Sequence, residues 1–426
     1  MRLHNLIRIM ALTAAAMLVV ALPAPTMPAT AQSSMPSSGM VCTTSATADF
    51  TLTTQTGYIS LPDGNTVYMW GLSAGSSPFQ YPGPVLCVTE GQTVTITLNN
   101  TLDRPTSLIF PGQSEVLANG QPDQPVFSGN TLLSLATTVA PGASVTYRFV
   151  ASNPGTYLYQ SGTDSIFQTQ MGLVGSLVVR PAMGATYAYD RADTQFRAGA
   201  EYLILMSEID PILHLAIERG ETFDMANYRA RYFLYNGRAF PDTIAPNNAA
   251  WLPGQPYGSL THIYPYHPTS NPLPALVRYL NASTSIYPHH PHGNHSRIIG
   301  RDGMPLEGSA QEDLSYEKFS MPIGPGQTWD VSFTWRDADE WDANNNPIPV
   351  TIPRDQNLTM GAYYGGSPYL GTQENLPVGA EAQNQCGEYY HIAHNHALQH
   401  TTSWGMTMSG QMTYTRIDPP LPNTCP

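Results

Sequence analysis

Charge is scarce in this chain. Only 12 % of its 426 residues are Asp, Glu, Lys or Arg, and the basic ones are the rarer, 18 against 31 acidic, for a formal net charge of −13. Phosphate backbones and anionic membrane surfaces are bound by basic faces, so nucleic acid and anionic lipid are excluded as partners. Cysteine is sparse too, at four residues. Beyond the N-terminus no apolar run approaches the roughly 20 residues that a membrane helix needs. No phosphate-cradling glycine loop, Ser-His-Asp constellation or paired-carboxylate hydrolase site is evident, which disfavours nucleotide and hydrolytic chemistry. The acidic runs Asp337-Ala-Asp339-Glu340 and Asp342-Ala-Asn-Asn-Asn346 lack the glycine-containing spacing of a calcium loop and read as solvated loop.

What the chain does have begins with an address. Met1–Arg8 is a basic start to an apolar run, Ile9 to Leu22, ending near Ala29-Thr-Ala31. These are the parts of a secretory signal peptide, expected over residues 1–31 with cleavage after Ala31, and the destination is periplasmic or extracellular. The run is short, and Pro23, Pro25 and Pro28 follow it, so no membrane anchor is expected. In an exported chain four cysteines suggest two disulfides. Position pairs Cys42 with Cys87 and Cys386 with Cys425, although four cysteines allow three connectivities. Cys386 also precedes His391 at a spacing found in copper-thiolate loops.

Abundant Gly (35) and Pro (38), with short alternating segments, predict an all-β protein. Phe50-Thr-Leu-Thr, Tyr58-Ile-Ser-Leu, Thr66–Gly71, Val94–Leu98, Ser107–Phe110, Val145–Val150 and Gly175–Val179 read as strands, with turns at Pro62-Asp-Gly64 and Glu90-Gly91. A linker is expected between about 183 and 200. Pro211 to Arg231 has helical spacing and predicts a short helical insertion in the second half.

Histidine is concentrated. Tyr287-Pro-His-His-Pro-His-Gly-Asn-His295 and Tyr390-His-Ile-Ala-His-Asn-His-Ala-Leu-Gln-His400 hold eight of the twelve histidines. A strand turns alternate side chains to one face, so His290 with His292, and His394 with His396, each form a pair pointing the same way. Neutral imidazole suits copper, zinc, iron or nickel, and two such pairs brought together make a metal cage. Hydrogen-bonding or surface roles are the expectation for His289, His295 and His400. His262 and His267 read as packing, and Met406, Met408 and Met412 as core filler rather than a cuprous site.

Several phrases carry a family resemblance. Tyr81-Pro-Gly-Pro-Val-Leu-Cys-Val-Thr-Glu-Gly-Gln-Thr-Val94 resembles the opening of a first cupredoxin domain of multicopper oxidases, and Pro141–Phe149, Pro154–Tyr159 and Met171–Val179 continue it in order. Tyr235-Asn-Gly-Arg-Ala-Phe-Pro241 resembles the entry to a second such domain. The resemblance implies two cupredoxin-like Greek-key β-sandwich domains, over 42–182 and 200–426. It also implies copper ligands. In the first domain they are missing: Ile109-Phe-Pro-Gly112 and Gln160-Ser-Gly162 stand where His-x-His pairs belong. In the second, His290-Pro-His292-Gly293 and His394-Asn-His396 match the family's ligand positions. The register of the second pair is open by alignment, which keeps His391 as a further candidate.

Three functional readings follow: an exported copper-dependent oxidoreductase, a copper-binding protein without turnover, and a cupredoxin scaffold that docks a redox partner protein.

Overall fold

The computed structural model describes residues 39–293, 295–336, 389–418 and 421–422, together with the short strands Ala362–Tyr364 and Gln373–Asn375. The leader read over 1–31, the acidic stretch 337–346 and both Cys386 and Cys425 lie outside the described residues.

Period-two alternation builds the first sandwich. In Thr93–Asn99 the buried positions are Val94, Ile96 and Leu98, and in Ser144–Val150 they are Val145, Tyr147 and Phe149. The two strands pair antiparallel along their whole length. They sit in a six-stranded sheet ordered Thr66–Ala74, Asp49–Ser60, Thr93–Asn99, Ser144–Val150, Leu117–Ala118, Gln121–Pro122. A four-stranded sheet ordered Thr43–Thr44, Val85–Thr89, Val174–Arg180, Gly155–Gln160 supplies the other wall. Leu52, Trp70, Leu86, Ile96, Tyr147 and Leu177 belong to the core of this sandwich.

Two expectations change here. The segments Phe50–Thr53 and Tyr58–Leu61 are one strand, Asp49–Ser60, because the ladder to Thr66–Ala74 runs unbroken from Leu52↔Ala74 to Ser60↔Thr66. Gly57 permits this: a Cβ there would stand 2.4 Å from the Phe79 ring that crosses it. The Ser107–Phe110 strand is reduced to isolated bridges, Thr106↔Val139 and Ile109↔Gln160.

The second sandwich pairs a seven-stranded sheet, in which Tyr232–Tyr235, Glu201–Ile209, Ala275–Asn281, Thr328–Phe333 and Ser296–Arg301 lie side by side, with a five-stranded one ordered Thr261–Ile263, Met412–Ile417, Tyr389–Asn395, Tyr287–Pro291, Met321–Ile323. Ile204, Tyr279, Tyr287, Ile298 and Val331 lie in its core. Glu201–Ile209 and Ala275–Asn281 are buried at every position rather than alternately. The cause is cover on both faces. Their second face, through Leu203, Leu205 and Leu280, meets Leu158, Val174 and Val178 of the first sandwich.

An ionic lock accompanies that apolar seam. Arg278, fully buried, donates from Nε to Glu201 at 2.7 Å and from Nη1 to Thr156 Oγ1 at 2.8 Å. Arg180 of the first sandwich reaches the same Glu201 at 2.6 Å, and Asp330 accepts from Thr156 at 2.5 Å and from the Tyr189 hydroxyl at 2.6 Å. Residues 183–200 are therefore no bare tether. Ala188, Tyr189 and Phe196 are buried against Leu276 and Ile299.

The helical insertion is shorter than its spacing suggested, Pro211–Glu218. Asp210 caps it by accepting from Ile212 N at 2.9 Å, with proline at the first helical position. Gly220 at φ 70° ends it, and only a 3₁₀ turn, Met225–Asn227, follows. An unexpected second helix, Ser165–Met171, lies in the first sandwich. Cys42 is bonded to Cys87.

Candidate metal centre

Strand register decides which histidines meet. Tyr287–Pro291 and Tyr389–Asn395 run antiparallel as neighbours, with His289↔Asn395, His290↔His394 and Pro291↔Ala393 opposite one another, and His292 N donating to Ile392 O at 2.9 Å. His290 and His394 thus share a face, and parity adds His292 and His396. Ring centroids lie 4.7 Å apart for His290–His292, 4.8 Å for His290–His396, 5.2 Å for His292–His394 and 5.7 Å for His394–His396. One ring nitrogen each from His290, His292 and His394 lies within 4.8 Å of the others, and His292 Nε2 stands 3.1 Å from His394 Nε2.

Backbone carbonyls set the tautomers. His394 Nδ1 lies 2.9 Å from Asn395 O, and His290 Nδ1 lies 2.5 Å from Phe319 O. A carbonyl only accepts, so each Nδ1 carries the proton and each Nε2 keeps its lone pair. Burial holds His394 down at about 4, against the pull of the Asn395 carbonyl. Burial also lowers His292, with the neighbouring His290 and His396 adding to it. Both are neutral imidazoles at pH 7. Without a metal, the proton between the two Nε2 atoms must be on His292, since His394 Nε2 is an acceptor.

The other histidines fall elsewhere. His391, odd in parity relative to His394, is not brought into the group of three; its ring stacks on Trp335 at 4.7 Å, and burial pushes it down to about 4. His289 faces the sandwich core directly behind the cluster. Its Nδ1 is 2.8 Å from the Tyr235 hydroxyl, its ring is 4.6 Å from that of Tyr279, and its buried Nε2 has no hydrogen-bond partner among the described residues. Burial pushes it down to about 3. His400 packs on Phe233 and Tyr287 at 4.5 and 4.9 Å, and its Nδ1 stands 3.1 Å from Asn395 Nδ2. His295 is exposed, 3.9 Å from Glu317. His262 pairs with Asp418 at 2.5 Å, away from the cluster. Met412 is buried, whereas Met406 and Met408 are exposed and so are not core filler.

Sequence reasoning missed the two carbonyls that orient His290 and His394. The Phe319 carbonyl comes from a segment 29 residues away and left no local signal.

The first sandwich presents a counterpart face without imidazole. Ile109 and Gln160 bridge there, Ile109 N to Gln160 O at 2.8 Å, as His290 and His394 do in the second sandwich. Ser107, Ser134 and Thr163 hydroxyls lie 2.8 to 3.1 Å from one another, and Gln168 of the unexpected helix accepts from Thr106 and Ser161 at 2.7 Å. These groups satisfy each other. Hydroxyl and amide oxygens in mutual hydrogen bonds offer no soft or imidazole donor for a copper ion.

The donor set of the second sandwich does fit a borderline metal. Bonds of about 2.0–2.1 Å to imidazole let one ion bridge nitrogens up to about 4 Å apart, which includes the 3.1 Å pair. Displacing the His292 proton to its Nδ1 is the one rearrangement that pair needs.

Residues 55–183 match the family model described as multicopper oxidase. A putative laccase of Oryza sativa subsp. japonica is 25 % identical over 257 residues, covering 60 % of this chain and 40 % of the laccase. Copper resistance protein A of Pseudomonas syringae pv. tomato is 37 % identical over 109 residues, covering 26 % and 16 %. The chain thus spans less than half the length of these two relatives. The crystal structure of a blue copper oxidase from Nitrosomonas europaea superposes with a TM-score of 0.54 at 18 % identity, over 87 % of this chain and 85 % of that one, a likeness of fold. Residues 55–183 are thus a domain of the multicopper oxidase family, and the chain as a whole shares the cupredoxin-type fold of such oxidases.

Proposed function

We propose that this protein is an exported copper-binding oxidoreductase of multicopper-oxidase type, with its copper on the second sandwich. His290, His292 and His394 are the ligands, His396 closes the rim, and His391 stands in reserve behind Trp335. The observation that carries the reading is the convergence of three imidazole nitrogens within 4.8 Å on one sheet face. Imidazole sites favour copper among the divalent ions. Bound copper supplies one-electron redox chemistry.

The residues of the chain do the rest. The Phe319 and Asn395 carbonyls fix the Nδ1 protons of His290 and His394, leaving both Nε2 lone pairs available to a metal ion. Burial keeps His394 unprotonated, so metal does not compete with a proton there near neutrality. His292 at the exposed lip leaves an approach from solvent. Electrons come from a small reductant or a separate redox partner protein. The basic start and apolar run of residues 1–31 support export, and the two sandwiches correspond to domains over 42–182 and 200–426.

A second reading is a copper-binding protein without turnover. The specific observation favouring it is the counterpart face of the first sandwich, where Ile109, Gln160 and the hydroxyl cluster replace ligands. Oxygen uptake by the copper-loaded protein with ascorbate as donor separates the two. Consumption above that of free copper, lost in His394→Ala, supports the oxidoreductase; stoichiometric copper with no uptake establishes the binding protein instead.

A further inference from the structure

A cleft of about 510 Å³ lies on the other side of the Tyr232 strand, away from any role given above. The helix Pro211–Glu218 forms one wall with Ile212 and Leu215, Tyr232 and Trp404 form the opposite one, and the turn after Leu61 contributes Asp63. Ile212 and Trp404 are 53 % exposed each, an unusual outlay of large apolar surface. None of the lining residues is basic, and two, Asp63 and Glu218, are acidic.

The aromatic wall is built in place rather than loose. Trp404 sits at φ 47°, in the left-handed region that a tryptophan rarely adopts. Its amide donates to Arg231 O at 2.7 Å, and the turn is closed by Met406 N to Ser403 O at 2.9 Å and Ser409 Oγ to Met406 O at 2.6 Å. The Trp404 ring lies 6.0 Å from that of Tyr232. Tyr232 donates its hydroxyl to Asp63 at 2.7 Å and is pushed up to about 12, chiefly by burial, so it remains a neutral donor. Glu218 accepts a hydrogen bond on one oxygen from the Tyr58 hydroxyl at 2.5 Å. Glu218 closes the last turn of its helix, where the backbone carbonyls already carry partial negative charge and a carboxylate is unfavourable for the helix itself. Carboxylates at two edges, an exposed indole face and aliphatic walls describe a receptor for a positive charge on an apolar body.

We propose that this cleft binds small organic ammonium ions bearing an aromatic or branched apolar group. The ammonium lies between Asp63 and Glu218 and the face of Trp404, and the apolar body rests on Ile212 and Leu215. The assignment does not depend on the histidine cluster.

The test is calorimetric titration of the full chain with phenethylammonium chloride, against 2-phenylethanol as the neutral analogue and 3-phenylpropionate as the anionic one. One site with a dissociation constant on the order of 1 mM is expected for so small a ligand. The alcohol should bind about tenfold more weakly and the anion more weakly still. Glu218→Gln, at an exposed position that keeps the Tyr58 hydrogen bond, should weaken the ammonium about fivefold while leaving the alcohol unchanged. Trp404→Leu should weaken both, and the variant lacking the four clustered histidines should bind like the parent. Ammonium and alcohol bound equally would overturn the proposal, as would no heat at about 10 mM ligand or a folded Glu218→Gln that binds both ligands like the parent.

Discussion

His394 is the most constrained member of the cluster. It is nearly buried, its Nδ1 proton is committed to Asn395 O, and its Nε2 meets His292 at 3.1 Å. His394→Ala should therefore lower copper affinity on the order of 100-fold, at least as much as losing a residue that only orients a ligand. His391→Phe, which keeps a ring against Trp335, should leave affinity within about threefold of the parent by competition with a chelator. A different buried histidine, away from the cluster, also contributes to acid stability. His214 donates from Nδ1 to Tyr68 O at 2.6 Å, and burial pushes it down to about 4. A base whose folded value is depressed stays neutral in the fold while the unfolded chain takes up a proton. The stability it contributes is complete above pH 6.5 and is lost as pH falls from 6.5 towards 4. At about 1.4 kcal/mol per pH unit the loss is about 3 kcal/mol. Urea melts at pH 7 and pH 4.5 should differ by less in His214→Gln than in the parent.

Elements turn these residue properties into a site. Asn395 ends the second histidine strand with its side chain inside: Nδ2 donates to Gln411 at 2.7 Å and Oδ1 accepts from Ala397 N at 2.9 Å. It sets how the chain turns between His394 and His396. Asn395→Ala leaves Gln411 and Ala397 without these partners, a loss of about 1–3 kcal/mol in denaturant melts, and it should weaken copper binding without removing a candidate ligand. The pairing of the two histidine segments was legible because period two is visible in His290-x-His292 and His394-x-His396. Parity also separates His391 from His394, a distinction that alignment to the family left open. The turn at Asn236-Gly237, both at positive φ, lies inside the phrase that carried the family resemblance but was not itself read from the sequence. Other elements were not. Ser165–Met171 is a helix with no capping side chain, stabilised by burying Phe167, Gln168 and Met171, and such tertiary support has no signature in spacing. The helical spacing that runs on to Arg231 is cut short at Gly220, where a positive φ and the carbonyls of Ala216 and Ile217 close the helix. Charge on the seam was equally hidden: Arg278 meets Thr156 122 residues away and Asp330 52 residues away.

At the scale of the molecule, the two sandwiches are joined by an apolar seam and by Arg278, Glu201, Asp330, Arg180 and Thr156. A buried ion network is not a strong source of stability in itself, but removing one partner strands the others. Arg278→Met should destabilise the protein by about 3–5 kcal/mol. Calorimetry should then resolve two unfolding transitions where the parent shows one. The two sandwiches divide the labour, one face lined by hydroxyls and Gln160 and the other by imidazoles. Copper content after reconstitution and desalting tests this division most directly, in the parent and in the variant with His290, His292, His394 and His396 changed to alanine. Stoichiometric copper in the parent and none in the folded variant is the predicted result. Copper retained by the variant, or absent from the parent, would contradict the assignment of these four histidines.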